Sequence, residues 1–148
     1  MKRLLKVRKI YKLFKILLNS KKSSYIELKI ILTAIKYQIF IKIFSFKKIL
    51  KKLERIESNN SNFQDLKPPE INNKILLICE YLGINSCFVK SLTTFEILKF
   101  YQNKPQLIIG VKKEKEKFFS HSWIKIDNEN LLSSESDLKK FNQIFEVS

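Results

Sequence analysis

The chain holds two cysteines and one histidine, and their neighbours decide what they could do. Asn85-Ser86-Cys87-Phe88-Val89-Lys90-Ser91 follows Gly83, a residue suited to ending an apolar helical run. Asn85 or Ser86 can cap the next helix by accepting from its free amides. Cys87 then falls in the first turn, where unpaired N–H groups and the helix dipole favour a thiolate. His121 lies 34 residues later in Phe118-Phe119-Ser120-His121-Ser122-Trp123-Ile124, an aromatic and branched run that reads as a strand. A cysteine on a helix N-terminus and a histidine on a strand are the parts of a Cys/His acyl-transfer site. Cys79 is the bland counterpart. Inside an apolar helical run, a cysteine is usually a small buried hydrophobe.

The elements that must position this pair can be read in order. Lys2 to Leu18 carries Leu4, Val7, Tyr11, Phe14, Leu17 and Leu18 at helical spacing, with lysines between them. Asn19 to Ser24 breaks it, and Ser23 or Ser24 with Glu27 offers a capping box. Tyr25 to Leu53 reads as one long helix or two joined near Ser45. Lys29, Lys36 and Lys42 interrupt it too often for a span of about 20 nearly charge-free residues. A buried helix whose lysines snorkel out along one edge is the expectation. Residues 57–72 form a polar connector that contains Lys67-Pro68-Pro69. Asn73 to Leu82 reads as a short helix, and Ser86 to Gln102 as the helix carrying Cys87, with Val89, Leu92, Phe95 and Leu98 toward the core. Gln106 to Val111 is a short buried strand, Lys112 to Lys117 a charged turn, and Phe118 to Ile126 the next strand. Asp127 to Asn130 turns into Leu131-Leu132-Ser133, and Asp137 to Phe145 reads as a short helix. The class is α+β, divided as a basic helical part over 1–56, a linker over 57–72 and a core over 73–148.

The charge follows the same division. Residues 1–55 hold 17 Lys/Arg against Glu27 and Glu54, while the other 93 residues balance 12 against 12. The first third is a basic module on a neutral domain. Charge alone leaves contact with an anionic surface open. Two cysteines and no secretory signal predict a reducing cytoplasm, with Cys87 a free thiol. With two glycines there is no phosphate-cradling loop, and no Cys/His cluster has metal-ligand spacing, so neither cofactor nor metal is expected.

Taken together, Ser86-Cys87-Phe88-Val89-Lys90-Ser91-Leu92, Leu107-Ile108-Ile109-Gly110-Val111 and Phe118 to Ile124 resemble the lasso-peptide biosynthesis protein B family. Tyr25-Ile26-Glu27-Leu28 and Phe44-Ser45-Phe46-Lys47-Lys48 echo two N-terminal elements of that family, so the resemblance covers nearly the whole chain. It implies a transglutaminase-like, papain-like core and a cysteine peptidase that removes the leader from a precursor peptide. Cys87 and His121 match the family's catalytic pair. Lys90, Ser122 and Lys125 stand where the family usually has Arg, Ala and Glu. The family's third catalytic residue, an Asp about a dozen residues after the His, falls on Ser133, or on Ser134 with a longer hairpin. Asp127 lies about 20 Å along the strand from His121 at roughly 3.3 Å per residue, too far to serve. Ser133 and Glu135 share a face of the expected returning strand, and Glu135 has the longer reach. Glu135 is the expected acceptor, with a serine hydroxyl or a backbone carbonyl as fallback.

The resemblance also implies partners. Nothing in the chain resembles the family's leader-recognition domain, so a separate leader-binding protein is expected beside the precursor peptide. An ATP-using cyclase related to asparagine synthetase is expected as a further protein, and no nucleic acid. Trp123 is expected to pack below the site. The competing reading is a catalytically decayed relative whose basic helices hold an acidic peptide or a membrane surface.

Overall fold

The computed structural model describes residues 21–56, 67–101, 103–131 and 133–148; the side chains of residues 21–24 and of Glu135 lie outside what it describes. The expected helix over Lys2 to Leu18 falls outside the described residues. The chain is α+β: the described residues form four helices followed by a four-stranded antiparallel sheet, with one short helix before the last strand.

Helix α1 (Lys21–Ile43) and helix α2 (Phe46–Leu53) are separate, and Ser45 takes the extended N-cap conformation between them. Ser23 and Ser24 lie inside α1 rather than capping it. Ile26, Ile30, Ala34 and Tyr37 are buried in the core, one helical stripe. The lysines do not all snorkel outward as expected. Lys36 pairs with Glu96, which also accepts from the Tyr37 hydroxyl at 2.5 Å, and Lys29 sits over the Phe100 ring. Burial lowers the Lys29 pKa to about 8 against the opposing charge of Glu96. A carboxylate and an aromatic face on the neighbouring helix draw these two lysines in.

Helix α3 (Pro68–Leu82) begins five residues before the expected Asn73. Pro68 and Pro69, read from sequence as linker, occupy its first turn, where a missing amide proton costs nothing. Gly83 ends the helix in the left-handed region (φ 71°), and Ile84 N–H closes back on the Cys79 carbonyl at 2.8 Å. Helix α4 (Cys87–Phe100) follows after four residues.

Strands β1 (Gln106–Glu114) and β2 (Lys117–Ile126) form a hairpin longer than expected, turning at Lys115-Glu116 with both residues at positive φ. A second turn at Asp127-Asn128 leads to β3 (Glu129–Leu131). The expected helix from Asp137 to Phe145 is mostly absent. Helix α5 covers only Glu135–Leu138, and Asn142–Val147 is strand β4. The sheet order is β3-β2-β1-β4, so β4 covers the edge that β1 would otherwise leave unpaired. Phe145 and Val147 give that segment a strand's alternation as readily as a helical stripe.

Two features tie the sheet to its neighbours. Gly110 stands opposite His121, and a Cβ there would lie 3.0 Å from the Trp123 ring and from Phe141 Cβ. On the other face, the Ser91 hydroxyl of α4 donates to the Ser122 carbonyl at 2.9 Å. The Ser122 hydroxyl is itself buried and has no hydrogen-bond partner among the described residues. Among the described residues, no helix is long and apolar enough to cross a membrane.

Overpacking of this kind costs about 1–3 kcal/mol, so Gly110→Ala should lower Tm by roughly 3–10 °C and shift the fluorescence of the single tryptophan. Ser122→Ala should act in the opposite sense. Removing an unpaired buried hydroxyl is expected to raise Tm by roughly 2–4 °C, about 1 kcal/mol. Thermal melts of both variants check the two signs.

Candidate functional site

Cys87 is the first residue of α4, and Ser86 is its N-cap, with the side chain accepting from Val89 N–H at 3.4 Å. The Ser86 carbonyl accepts from Lys90 N–H at 3.2 Å. The Cys87 and Phe88 amides make no hydrogen bond among the described residues, so two donors remain directed beyond the helix end. Cys87 is partly exposed and free. Cys79 is fully buried in α3, and burial pushes its thiol up to about 11, against a smaller opposing influence from Lys90.

Alternation along β2 divides its side chains between two environments. Ile124 joins the main core under α4 with Ile109, whereas Trp123 packs with Ile108, Leu138 and Phe141 on the opposite face. His121 belongs to the Trp123 face. Its ring stacks on the Trp123 ring (centroids 6.1 Å apart, planes 20° apart) and meets Phe141 at 5.5 Å. Trp123 thus packs beneath the histidine, as expected.

The imidazole Nε2 is 2.5 Å from the Ser133 Oγ. Ser133, at the slot where the resemblance puts the acidic residue, is therefore in contact with His121. Glu135 is not on a returning strand: β3 ends at Leu131, and Glu135 opens α5. Its side chain lies outside the described residues. Ser134 turns to another partner, donating to Asp137 Oδ2 at 2.7 Å. Burial lowers the His121 pKa, and the negative charge of Asp137 partly opposes that shift. Asp137 is itself held below the usual carboxylate range, first by the Ser134 hydroxyl and then by Lys140. Sequence reasoning passed over Asp137. Its relevance depends on α5 folding back toward His121, and spacing along β2 gives no sign of that.

Cys87 and His121 line one cleft of about 280 Å³. Phe46 of α2, Phe88 of α4, Ile109 and Val111 of β1, Ser120 and Ser122 of β2, and Ile144 of β4 complete its walls. Ile144 is 59% exposed and sits where the β1–β4 register skips a residue, between Ile109↔Phe145 and Gly110↔Gln143. Such a bulge re-aims a side chain, and here it serves the cleft rim. Phe46 packs against Phe88 with its ring tilted 35° at 5.4 Å and carries α2 into the wall. Its signal in sequence was the Phe44-Ser45-Phe46-Lys47-Lys48 element; Ile144 had none. The cleft presents a thiol at a helix N-terminus, two free amides and apolar walls, and it reaches β2 at His121, whose hydrogen-bonded ring lies on the Trp123 side of the sheet. Those parts suit attack on a carbonyl and stabilisation of the resulting oxyanion. Among the described residues, no group of three His, Cys, Asp or Glu is placed to hold a metal.

A comparison with curated proteins and another with solved structures gave no match. A family model described as transglutaminase-like superfamily matches residues 31–146, a stretch that runs from within α1 to within β4 and contains both Cys87 and His121. The chain belongs to the transglutaminase-like superfamily.

Proposed function

We propose that the protein is a cysteine peptidase that removes the leader segment from a ribosomally made precursor peptide of the lasso-peptide type. The observation that carries this reading is the sharing of one cleft by Cys87, at the amide-rich end of α4, and His121, whose Nε2 is engaged by Ser133. The order and spacing of the sequence elements around them support the substrate class. A separate leader-binding protein and an asparagine-synthetase-like cyclase are its proposed partners.

In the proposed reaction Nδ1, the nitrogen that Ser133 does not engage, takes the thiol proton when the ring turns from the Trp123 side toward the cleft. The Cys87 thiolate attacks the scissile carbonyl carbon, and the Cys87 and Phe88 amides donate to the oxyanion. Collapse of the tetrahedral intermediate breaks the C–N bond, and His121 returns its proton to the leaving amine. Water then attacks the thioester, His121 takes its proton, and the thiol leaves with that proton as the carboxylate product departs. Ser133 orients the ring but brings no charge, so the imidazolium is less stabilised than by a carboxylate. A thiol tolerates this better than a serine hydroxyl, because it ionises more readily. The neutral partner also favours a second reading, that of a decayed site that only binds. Turnover separates the two.

Incubated with precursor and leader-binding partner, the wild type should release leader from core. Cys87→Ala should reduce that by at least 10³-fold, and Cys79→Ala should leave it within twofold. Mass spectrometry giving equal product from wild type and Cys87→Ala would end the peptidase reading. Iodoacetamide should alkylate Cys87 at pH 7.5 and spare Cys79, whose thiol is buried and protonated there.

The single histidine gives one imidazole NMR titration. Because burial disfavours its charged form, its midpoint in Cys87→Ala should lie below the ordinary value of about 6.5, leaving the base neutral further into acid. In Cys87→Ala/Ser133→Asp a carboxylate at Nε2 should raise the midpoint above the parent's, and Ser133→Asp alone should speed single-turnover cleavage. An unmoved midpoint would mean that position 133 does not address the ring.

A further inference from the structure

Helix α2 does two things at once. Its first residue, Phe46, is 47% exposed and forms part of the wall beside Cys87. Ile49, Leu50 and Leu53 bury its inner face. The outer face carries Lys48, Lys51 and Lys52 and continues to Arg55, just past the helix end; together with Ile56 they line a second hollow of about 470 Å³. None of these four cations has a carboxylate within ion-pair distance among the described residues, whereas Lys36, Lys74, Lys112, Lys113 and Lys140 each do. Like charges three and four positions apart oppose the helix that carries them. Three of these charges stand on the helix and the fourth just past it, and Lys52 also lies over the Phe40 ring. Among the described residues no carboxylate answers them, so the hollow that starts two residues from the cleft wall at Phe46 suits an anionic ligand.

We propose that this face is the specificity site for the substrate: it takes an acidic segment of the same peptide whose scissile bond lies at Cys87. An apolar side chain of the peptide enters between Phe46, Phe88 and Ile144, and carboxylates on one side of it meet Lys48, Lys51, Lys52 and Arg55. The proposal rests on the peptidase reading for the identity of the peptide, but the binding it describes needs no turnover. Geometry sets the spacing. From Phe46, Lys51 and Arg55 are about 7–14 Å along the axis at 1.5 Å per residue. An extended peptide covers that distance in roughly two to four residues at ~3.3 Å each. The acidic residues should therefore lie two to four positions from the residue that enters the cleft.

The test is fluorescence anisotropy with the Cys87→Ala protein and two labelled peptides. One carries a leucine followed, two to four residues on, by three glutamates; the other has glutamines in their place. The acidic peptide should bind at least tenfold more tightly at 50 mM salt, with most of the difference gone at 500 mM, where such attraction is screened. Adding Lys48→Glu and Lys51→Glu should erase the preference while the circular dichroism spectrum stays unchanged. Lys104→Glu, an exposed charge outside α2, should leave it within twofold. Equal affinities for the two peptides, or a preference that survives the double reversal, would overturn the proposal. So would phosphatidylserine vesicles retaining the protein through Lys48 and Lys51 when neither peptide binds, an outcome that assigns the face to lipid. If the acidic preference holds while the wild type cleaves nothing, the peptidase reading fails and this one stands.

Discussion

The structure depends on the burial of one helix from every side. In α4, Val89, Leu92, Phe95, Ile97 and Leu98 are fully buried, and so are the small polar residues Ser91, Thr93 and Thr94 between them. A helix with a single apolar stripe can roll or slide on its support. One enclosed by α1, α3 and the sheet together has a single seat. Its N-terminus is therefore located by the whole core rather than by a local loop. That is what a thiol needs if it is to meet a proton acceptor carried by another element, since small misplacements are costly in catalysis.

Polar contacts then select among nearby seatings. The Ser91 hydroxyl on the Ser122 carbonyl sets the height of α4 along β2, one residue from His121. Thr93 satisfies itself on the Val89 carbonyl within the helix. At the far side, Glu96 collects Lys36 and Tyr37 and thereby fixes the rotation of α1. Burial and the neighbouring Glu96 both push the Tyr37 phenol upward, so it remains a donor. Because Lys36 and Glu96 remain partly exposed, this pair contributes more to register than to stability. His121 is held in a comparable way, by ring contacts on two aromatic side chains and by one hydroxyl at Nε2.

How much of this was legible in sequence depended on the range of the interaction that decides each feature. Gly83 as helix end, a cap at Asn85 or Ser86 and two strands joined by a charged turn are local, and residue type with spacing was enough to find them. Ser45 was in view as the join if the long helix were two. Pro68-Pro69 misled because the dipeptide that stops a helix from behind also starts one in front. β4 misled because its partner, β1, lies some thirty residues earlier, and only that open edge makes the segment a strand. The same long range hid the site's finer parts. Ser133 was in view through the resemblance, as the slot of the family's acidic residue, but placing it on a regular strand also drew Glu135 into view, and α5 interrupts that strand. Lys29 and Lys36 turned inward for a reason carried by α4, sixty or more residues away from either one.

The skipped register at Ile144 has a consequence for how this cleft can change over evolutionary time. Residues after the bulge, Phe145 and Val147, face the core, whereas Asn142 and Gln143 before it pair with β1 at the level of the cleft. Losing Ile144 would leave both flanking pairings, Ile109↔Phe145 and Gly110↔Gln143, in place and remove the one side chain that the bulge sends to the cleft rim, with the core half untouched. A single-codon deletion or insertion there is thus a modular edit. It would give descendants of this protein a differently shaped cleft entrance on an unchanged scaffold, a change that point substitution in the packed walls around Ile109 and Ser122 does not provide.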